Sequence, residues 1–219
     1  PARVGYGTVT AAGTILRKDC PEGGKLHLGG GLKKRTVPFH QGIYMGIRER
    51  FQKNFIYLAN LIALKNWYLS VRAEFFAPTL LREELYRAAV EKIDRAVEER
   101  LRRAVDLAEK MPGSIEKYRK TLNKEPAPLL LERKEEVWER RRELEDYFLK
   151  RRDDATIADT ARTEFIRSLK AERPAGRVYY PDFIRDLKPE TAATGTAWLQ
   201  EIVDETVGGA LEIVPSFKT

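Results

Sequence analysis

The sequence is poor in the side chains that many enzymes use for covalent or metal chemistry. Its 219 residues contain one cysteine, Cys20, and two histidines, His27 and His40. A single cysteine excludes an intrachain disulfide and is compatible with a reducing compartment. A metal site on the two histidines would need further donors, and Cys20 is the only soft one nearby, so we expect no metal site.

Long apolar runs and nucleotide-binding motifs are lacking as well. The most apolar stretch, Phe55 to Leu64, contains Asn60 and ends at Lys65, well short of the roughly 20 residues that span a bilayer. The glycines at 23–24 and 29–31 lack the Gly-Lys-Ser/Thr order of a phosphate-binding loop, so we expect no cofactor. Paired carboxylates alternate with Lys and Arg at helical spacing, which is typical of solvated helix faces and predicts no catalytic residue.

Charge is plentiful but unevenly spread. The chain has 40 Lys and Arg against 33 Asp and Glu, a net charge of +7. Residues 1–40 hold seven basic and two acidic side chains, whereas residues 76–219 hold twenty-eight and twenty-nine. A uniform nucleic-acid-binding surface is therefore disfavoured, but a basic N-terminal segment could lie on RNA, on anionic lipid or on an acidic neighbour.

The first 40 residues are rich in glycine and show no sustained period. They predict an extended basic arm with a short strand or two, which would order against a partner. The candidate contacts to anionic partners are its clustered bases: Arg17, Lys18, Lys33, Lys34 and Arg35.

Residues 41–172 predict a helical body. Apolar residues from Ile43 to Phe76 approximate helical spacing, and those from Leu81 to Met111 follow it closely, with Pro78 and Thr79 between the two helices. Residues 128–172 contain no glycine and no proline after Pro128, and they predict one charged helix on the order of 60 Å long. Its narrow apolar stripe comprises Val137, Leu144, Phe148, Ala155, Ala158, Phe165 and Leu169, and we expect Val137, Leu144, Phe148, Phe165 and Leu169 to bind a partner.

Residues 173–219 predict an irregular tail with one short helix near 196–207 and a break at Gly208 and Gly209. The predicted fold is therefore mainly α: an elongated helical hairpin or bundle with one long charged helix, an extended N-terminal arm and an irregular C-terminal tail. The predicted domains are 1–40, 41–172 and 173–219.

Two segments resemble subunit d of the peripheral stalk of mitochondrial ATP synthase. In Met111-Pro112-Gly113-Ser114-Ile115-Glu116-Lys117-Tyr118-Arg119, a long helix ends at a proline before an aliphatic–acidic pair and Tyr-Arg. After the long helix come Arg173-Pro174 and then Asp182, Leu187, Lys188, Pro189 and Glu190. The match departs from the family pattern at Lys117, where an aromatic residue is expected, and the arm at 1–40 has no counterpart.

The resemblance implies a non-catalytic subunit on the matrix side of the mitochondrial inner membrane. It would contact stalk helices and membrane-part subunits and help to hold the catalytic head still during ATP synthesis. The start at Pro1 is compatible with removal of a leader as well as with truncation. Two alternatives stay open: a mitochondrial ribosomal accessory protein that binds rRNA through the basic arm, and an accessory subunit of a respiratory complex.

Overall fold

The structure, a computed structural model, describes residues 2–29, 35–75, 80–154, 157–176 and 178–218. Most of these residues are helical, so the predicted mainly α class is confirmed. The elements in chain order are β1 (Val9–Thr10), β2 (Lys25–Leu28), β3 (Arg35–Pro38), α1 (Ile47–Ser70), a 3₁₀ turn (Arg72–Phe75), α2 (Leu80–Glu109), α3 (Met111–Leu122), α4 (Pro128–Glu139), α5 (Arg141–Asp153), α6 (Asp159–Glu172), α7 (Tyr180–Arg185), α8 (Pro189–Ile213) and a 3₁₀ turn (Pro215–Phe217).

The chain forms two compact units. Pro1–Met45 and Gly113–Pro126 make up the first, here called the N-terminal unit. Gly46–Pro112 and Ala127–Thr219 make up the second, here called the helical unit. The division differs from the predicted domains because α3 joins the residues of the arm, while the C-terminal residues join the helices.

The N-terminal unit contains a three-stranded sheet in the order β1-β2-β3. β1 pairs with β2 in parallel, with Val9 opposite Leu26, and β2 pairs with β3 antiparallel, with Leu26 opposite Val37. The Tyr44 N–H donates to the Ser114 hydroxyl at 3.0 Å and so ties the end of the arm to α3. The predicted short strands are therefore present, and the arm orders against itself as well as against α3.

In the helical unit, α1 and α2 agree with the periodic pattern. α1 buries one face that includes Phe51, Phe55 and Ile62, each no more than 2% exposed. α2 buries its stripe from Ile93 onward, whereas Leu81 near its start is 71% exposed. The predicted break and cap at Pro78 and Thr79, like the predicted helix residue Phe76, lie outside the described residues.

The prediction of one continuous helix over 128–172 is wrong, because the segment forms α4, α5 and α6. α4 and α5 meet at Arg140, whose φ of −90° and ψ of 4° are not helical. After α5, Asp154 is extended, and α6 begins after Ala158, whose φ of 51° is left-handed. Ile157 and Ala158 are both buried at this break, so burial of two side chains prevails over helix propensity in a segment without proline or glycine.

The predicted irregular tail is wrong as well. α8 runs for 25 residues through Gly208 and Gly209, and it packs against α1, α5 and α6. Trp198 and Ile202 on its inner face are fully buried. The tail therefore supplies a central helix of the core, which the glycines concealed because they ordinarily mark a helix end.

Candidate functional site

The predicted partner-binding stripe is covered by the chain itself. Val137, Leu144 and Phe148 line the same apolar cavity as residues of α1 and α2, and the Phe148 and Phe55 ring centroids lie 5.6 Å apart. In α6, Phe165 and Leu169 are also buried, and the Phe165 centroid lies 5.7 Å from that of Trp198 in α8. These five residues are therefore core residues and not a free docking face, because α1, α2 and α8 fold over the side that sequence left unpartnered.

The basic candidates fall elsewhere. Arg17 and Lys18 are exposed in the connection between β1 and β2. β3 begins at Arg35. Lys33 and Lys34 lie outside the described residues. The structure therefore places Arg17 and Lys18 together on the surface of the N-terminal unit and leaves the other cluster untested.

The N-terminal unit carries the whole net charge of the chain. Its residues include eleven Lys and Arg against four Asp and Glu, an excess of seven. The helical unit contains twenty-nine of each sign. Division of the chain into units thus sharpens the imbalance that the sequence indicated, because the basic α3 segment joins the basic arm.

A network of charged side chains joins α1, α2 and α5 in the helical unit. Lys65 of α1 lies 2.7 Å from Asp94 of α2 and 3.3 Å from Asp153 of α5. Arg152 lies 2.7 Å from Glu98 and 2.8 Å from Asp153. Hydrogen bonds donated by Arg152 and Lys65 hold the pKa of Asp153 below its ordinary value, and the hydrogen bonds that Arg152 donates to Asp153 and Glu98 raise the pKa of Arg152. Carboxylates kept ionised in this way are poor proton donors near neutral pH, so the network fits a structural role.

A second polar cluster anchors the C-terminal 3₁₀ turn. The Ser216 N–H donates to the Glu136 carboxylate at 3.1 Å, and Arg133 Nε donates to the Ser216 carbonyl at 2.9 Å. From α1, the Gln52 amide donates to the Phe217 carbonyl at 2.9 Å. The turn is thereby fixed to α4 and α1, and its polar groups serve the fold.

The helical unit also has an open groove beside the start of α7. It is lined by Arg72, Phe75, Arg82, Val178, Tyr179, Tyr180 and Pro181. The Arg72 guanidinium lies 3.9 Å from the Tyr180 ring centroid, and the Tyr180 hydroxyl accepts from the Trp67 indole at 2.8 Å. The Arg72 guanidinium and the Tyr180 hydroxyl therefore already contact other side chains of the unit, and the groove does not present a set of convergent catalytic groups.

Sequence reasoning missed Lys134 as a buried ionisable residue. It is fully buried in α4, and burial lowers the pKa of its ammonium group. Its neighbours Arg133 and Glu135 made the segment resemble a solvated face, so no signal in the sequence distinguished it. Within the part of the chain that the structure describes, no three His, Cys, Asp or Glu side chains lie close enough to hold a metal ion.

No helix among the described ranges is both long enough and apolar enough to cross a bilayer. No protein-family model, curated protein or solved structure matches the chain. Function is therefore argued from the two units themselves.

Proposed function

We propose that this chain is a non-catalytic structural subunit of a larger assembly, in which the N-terminal unit makes the attachment and the helical unit is a scaffold. The observation that carries the proposal is the contrast in net charge between the units. The helical unit has no net charge, and it exposes apolar side chains such as Leu81 and Leu85 as well. The N-terminal unit holds an excess of seven positive charges and exposes Val4, Tyr6, Val9 and Ile15 within its first fifteen residues.

The arrangement of titratable groups supports the non-catalytic part of the proposal. The cations Lys65 and Arg152, which are largely buried, pair with the more exposed carboxylates Asp94 and Asp153 across three helices. A general acid or base would instead need a pKa near the working pH and access to a substrate. Tyr147, whose pKa is raised by burial, donates its hydroxyl to the Thr206 carbonyl at 3.0 Å and is equally committed to packing.

The finer proposal places the subunit in the peripheral stalk of mitochondrial ATP synthase, on the matrix side of the inner membrane. Its support is the resemblance of two segments: residues 111–119, which lie within α3, and residues 173–190, which include α7 and the first residues of α8. The stripe from Val137 to Leu169 no longer supports it, since those side chains are buried. Attachment to stalk or membrane-part subunits would have to use the N-terminal unit.

Native separation of gently extracted mitochondria, followed by mass spectrometry, tests both levels of this proposal. Migration with the intact ATP synthase is expected for a stalk subunit. Absence from purified ATP synthase would contradict the stalk proposal, whereas migration of the chain as a free monomer would contradict the subunit class. No tagged variant is needed, because mass spectrometry identifies the chain and the native separation gives the mass of the complex that contains it.

The charge distribution favours a second candidate, an RNA-binding ribosomal accessory protein. Each phosphate contact releases counterions, so affinity for RNA should fall steeply with salt. Replacement of Arg17 and Lys18 by alanine should reduce the slope of log affinity against log salt by about 1 to 2. The matched control replaces Arg95 and Arg103, two exposed arginines of the neutral helical unit, and should leave the slope unchanged. Equal effects of the two double variants would refute a specific RNA surface on the N-terminal unit.

A further inference from the structure

The parallel pairing in the N-terminal unit is unusual because it has no helix in its crossover. Val4 pairs with Cys20, Val9 with Leu26 and Thr10 with His27, offsets of 16 to 17 residues. Parallel strands generally need a connection of a dozen or more residues, which is most often a helix. Residues 11–24 connect the paired segments through turns and extended chain. The chain thus completes one coil, and the next coil runs directly beside the first.

Backbone hydrogen bonds join the two layers along much of the coil. The Gly5 N–H donates to the Cys20 carbonyl at 2.8 Å, and the Cys20 N–H donates to the Arg3 carbonyl at 2.7 Å. Farther along, the Ala11 N–H donates to the His27 carbonyl at 2.9 Å. The pairing therefore extends beyond the two residues of β1, as expected where successive coils of a solenoid stack.

Two corners of the first coil are formed by glycine. Gly7 and Gly13 have φ of 78° and 74° and are each followed by threonine, and the next glycine with positive φ is Gly24. Such φ values are readily adopted only by glycine, so each glycine permits a sharp corner. Sharp corners between parallel coils are a feature of parallel β-helices.

In the part of the chain that the structure describes, no strand covers one side of this two-layer stack. β3 covers the outer edge of β2, whereas β1 is the edge strand on the other side. Because Arg3 and Gly5 bond to Cys20, the N–H and C=O of Val4 point the opposite way, and the same alternation turns those of Thr10 outward. On this open coil Val4 is 49%, Val9 38% and Ile15 70% exposed. Folded proteins rarely leave such an edge uncovered, and solenoids need a polar cap at each end.

We propose that the open coil binds a further parallel β-coil, of the same 16- to 17-residue period, that a partner polypeptide presents. This inference rests on the proposed attachment role of the N-terminal unit. A partner coil in the same register would continue the existing parallel ladder, because it would pair with Val4 and Thr10 at the same time. A second copy of this chain that paired its β1 across a two-fold axis would run antiparallel and would cover two residues only, which leaves Val4 and Ile15 exposed.

The chain itself supplies the probe. In the test variant, a second copy of residues 4–20 is inserted ahead of Val4, so that each inserted residue precedes its equivalent by 17 positions. In the control variant, the same residues are inserted in scrambled order. Hydrogen exchange of the Val4 and Thr10 amides is then compared in reducing buffer, and the Leu26 amide of β2 shows whether the layers beneath are intact.

Stacking of the added coil should slow exchange at Val4 and Thr10 at least tenfold in the test variant and leave it unchanged in the control. Unchanged exchange in the test variant, equal slowing in both variants, or lost protection at Leu26 in the test variant alone would overturn the inference. Concentration-dependent protection in the original chain would also overturn it, because a second copy would then occupy the edge. None of these outcomes depends on which native complex carries the chain, so the proposed function fails or stands separately.

Discussion

Two glycines of α8 allow the packing of the helical unit to be tested with one kind of substitution. A Cβ on Gly195 would lie 2.6 Å from Phe165 Cε2 and 2.9 Å from Cζ, far inside van der Waals contact. A Cβ on Gly208, in the same helix, would meet nothing within 4 Å. Gly195→Ala and Gly208→Ala therefore differ in packing while they share the gain in helix propensity.

The expected magnitudes follow from two opposing effects. Alanine in a helix interior is favoured over glycine by about 1 kcal/mol, so Gly208→Ala should stabilise the helical unit by roughly that amount. Phe165 cannot easily retreat, because its ring centroid lies 5.7 Å from each of the Trp67 and Trp198 rings. Overpacking of such a site costs about 1–3 kcal/mol, so Gly195→Ala should be less stable than Gly208→Ala by that difference.

Urea unfolding followed by tryptophan fluorescence measures the effect, since all three tryptophans belong to the helical unit. With a slope of about 2 kcal/mol per molar urea, the midpoints of the two variants should differ by roughly 0.5–1.5 M. A Gly195→Ala midpoint at or above that of Gly208→Ala would refute the contact between α8 and Phe165. Adding Phe165→Leu to Gly195→Ala should cost less than the sum of the single effects, because the shorter side chain relieves the clash.

Three further predictions concern other contacts of the helical unit. Phe148→Ala should cost about 3–5 kcal/mol because the ring is fully buried, whereas Leu129→Ala, at a side chain 40% exposed, should cost far less; equal urea midpoints would contradict burial of the stripe. Asp153→Asn should destabilise the fold at pH 7, and its deficit should start to shrink below about pH 4 and disappear only once pH is below the lowered pKa of Asp153, because the carboxylate contributes stability only while it is ionised; a pH-independent deficit measured by urea titration would exclude the ion-pair explanation. Glu136→Ala removes the acceptor of the Ser216 N–H and should cost roughly 1–3 kcal/mol in the same assay, so a change under about 0.5 kcal/mol would show that the C-terminal turn is held by other contacts.

Periodicity predicted α1 and α2, but it predicted neither the breaks between α4, α5 and α6 nor what covers their apolar stripe. The stripe in α1 and the later part of α2 are buried as their spacing requires, and so are Val137 and Phe148. The stripe of α4 to α6 was nevertheless assigned to a partner, since the interrupting arginines made it look narrow. In the structure, the Arg141 guanidinium lies 3.6 Å from the Trp138 ring centroid, so an arginine beside the stripe packs on an aromatic ring and extends the buried side.

The coil of the N-terminal unit was harder to predict for a different reason. Half-buried strands are recognised in a sequence by alternation of apolar and polar residues. β1 spans only two residues and β2 only four, which is too short for a clear alternation. The signal that could have revealed the coil is the repeated Gly-Thr at Gly7 and Gly13, whereas the glycine content of the first 40 residues predicted only an extended arm. A repeat of six residues has little statistical weight when it occurs twice, and its meaning depends on the parallel register that only the structure supplies.

Glycine has opposite roles in the two units, and this explains why the tail was wrongly predicted to be irregular. In the coil, Gly7 has positive φ and marks a change of direction, which is its usual role. In α8, Gly195 and Gly209 have helical neighbours on both sides, and their missing Cβ atoms make room for the Phe165 ring and the Tyr147 side chain. The propensity cost of these two positions, about 2 kcal/mol in total, is offset by burial of aromatic surface that any larger residue would exclude. Whether a glycine marks a turn or a point of close approach therefore becomes clear only when its spatial neighbours are known. The C-terminal residues form a core helix because aromatic partners are available on α5 and α6.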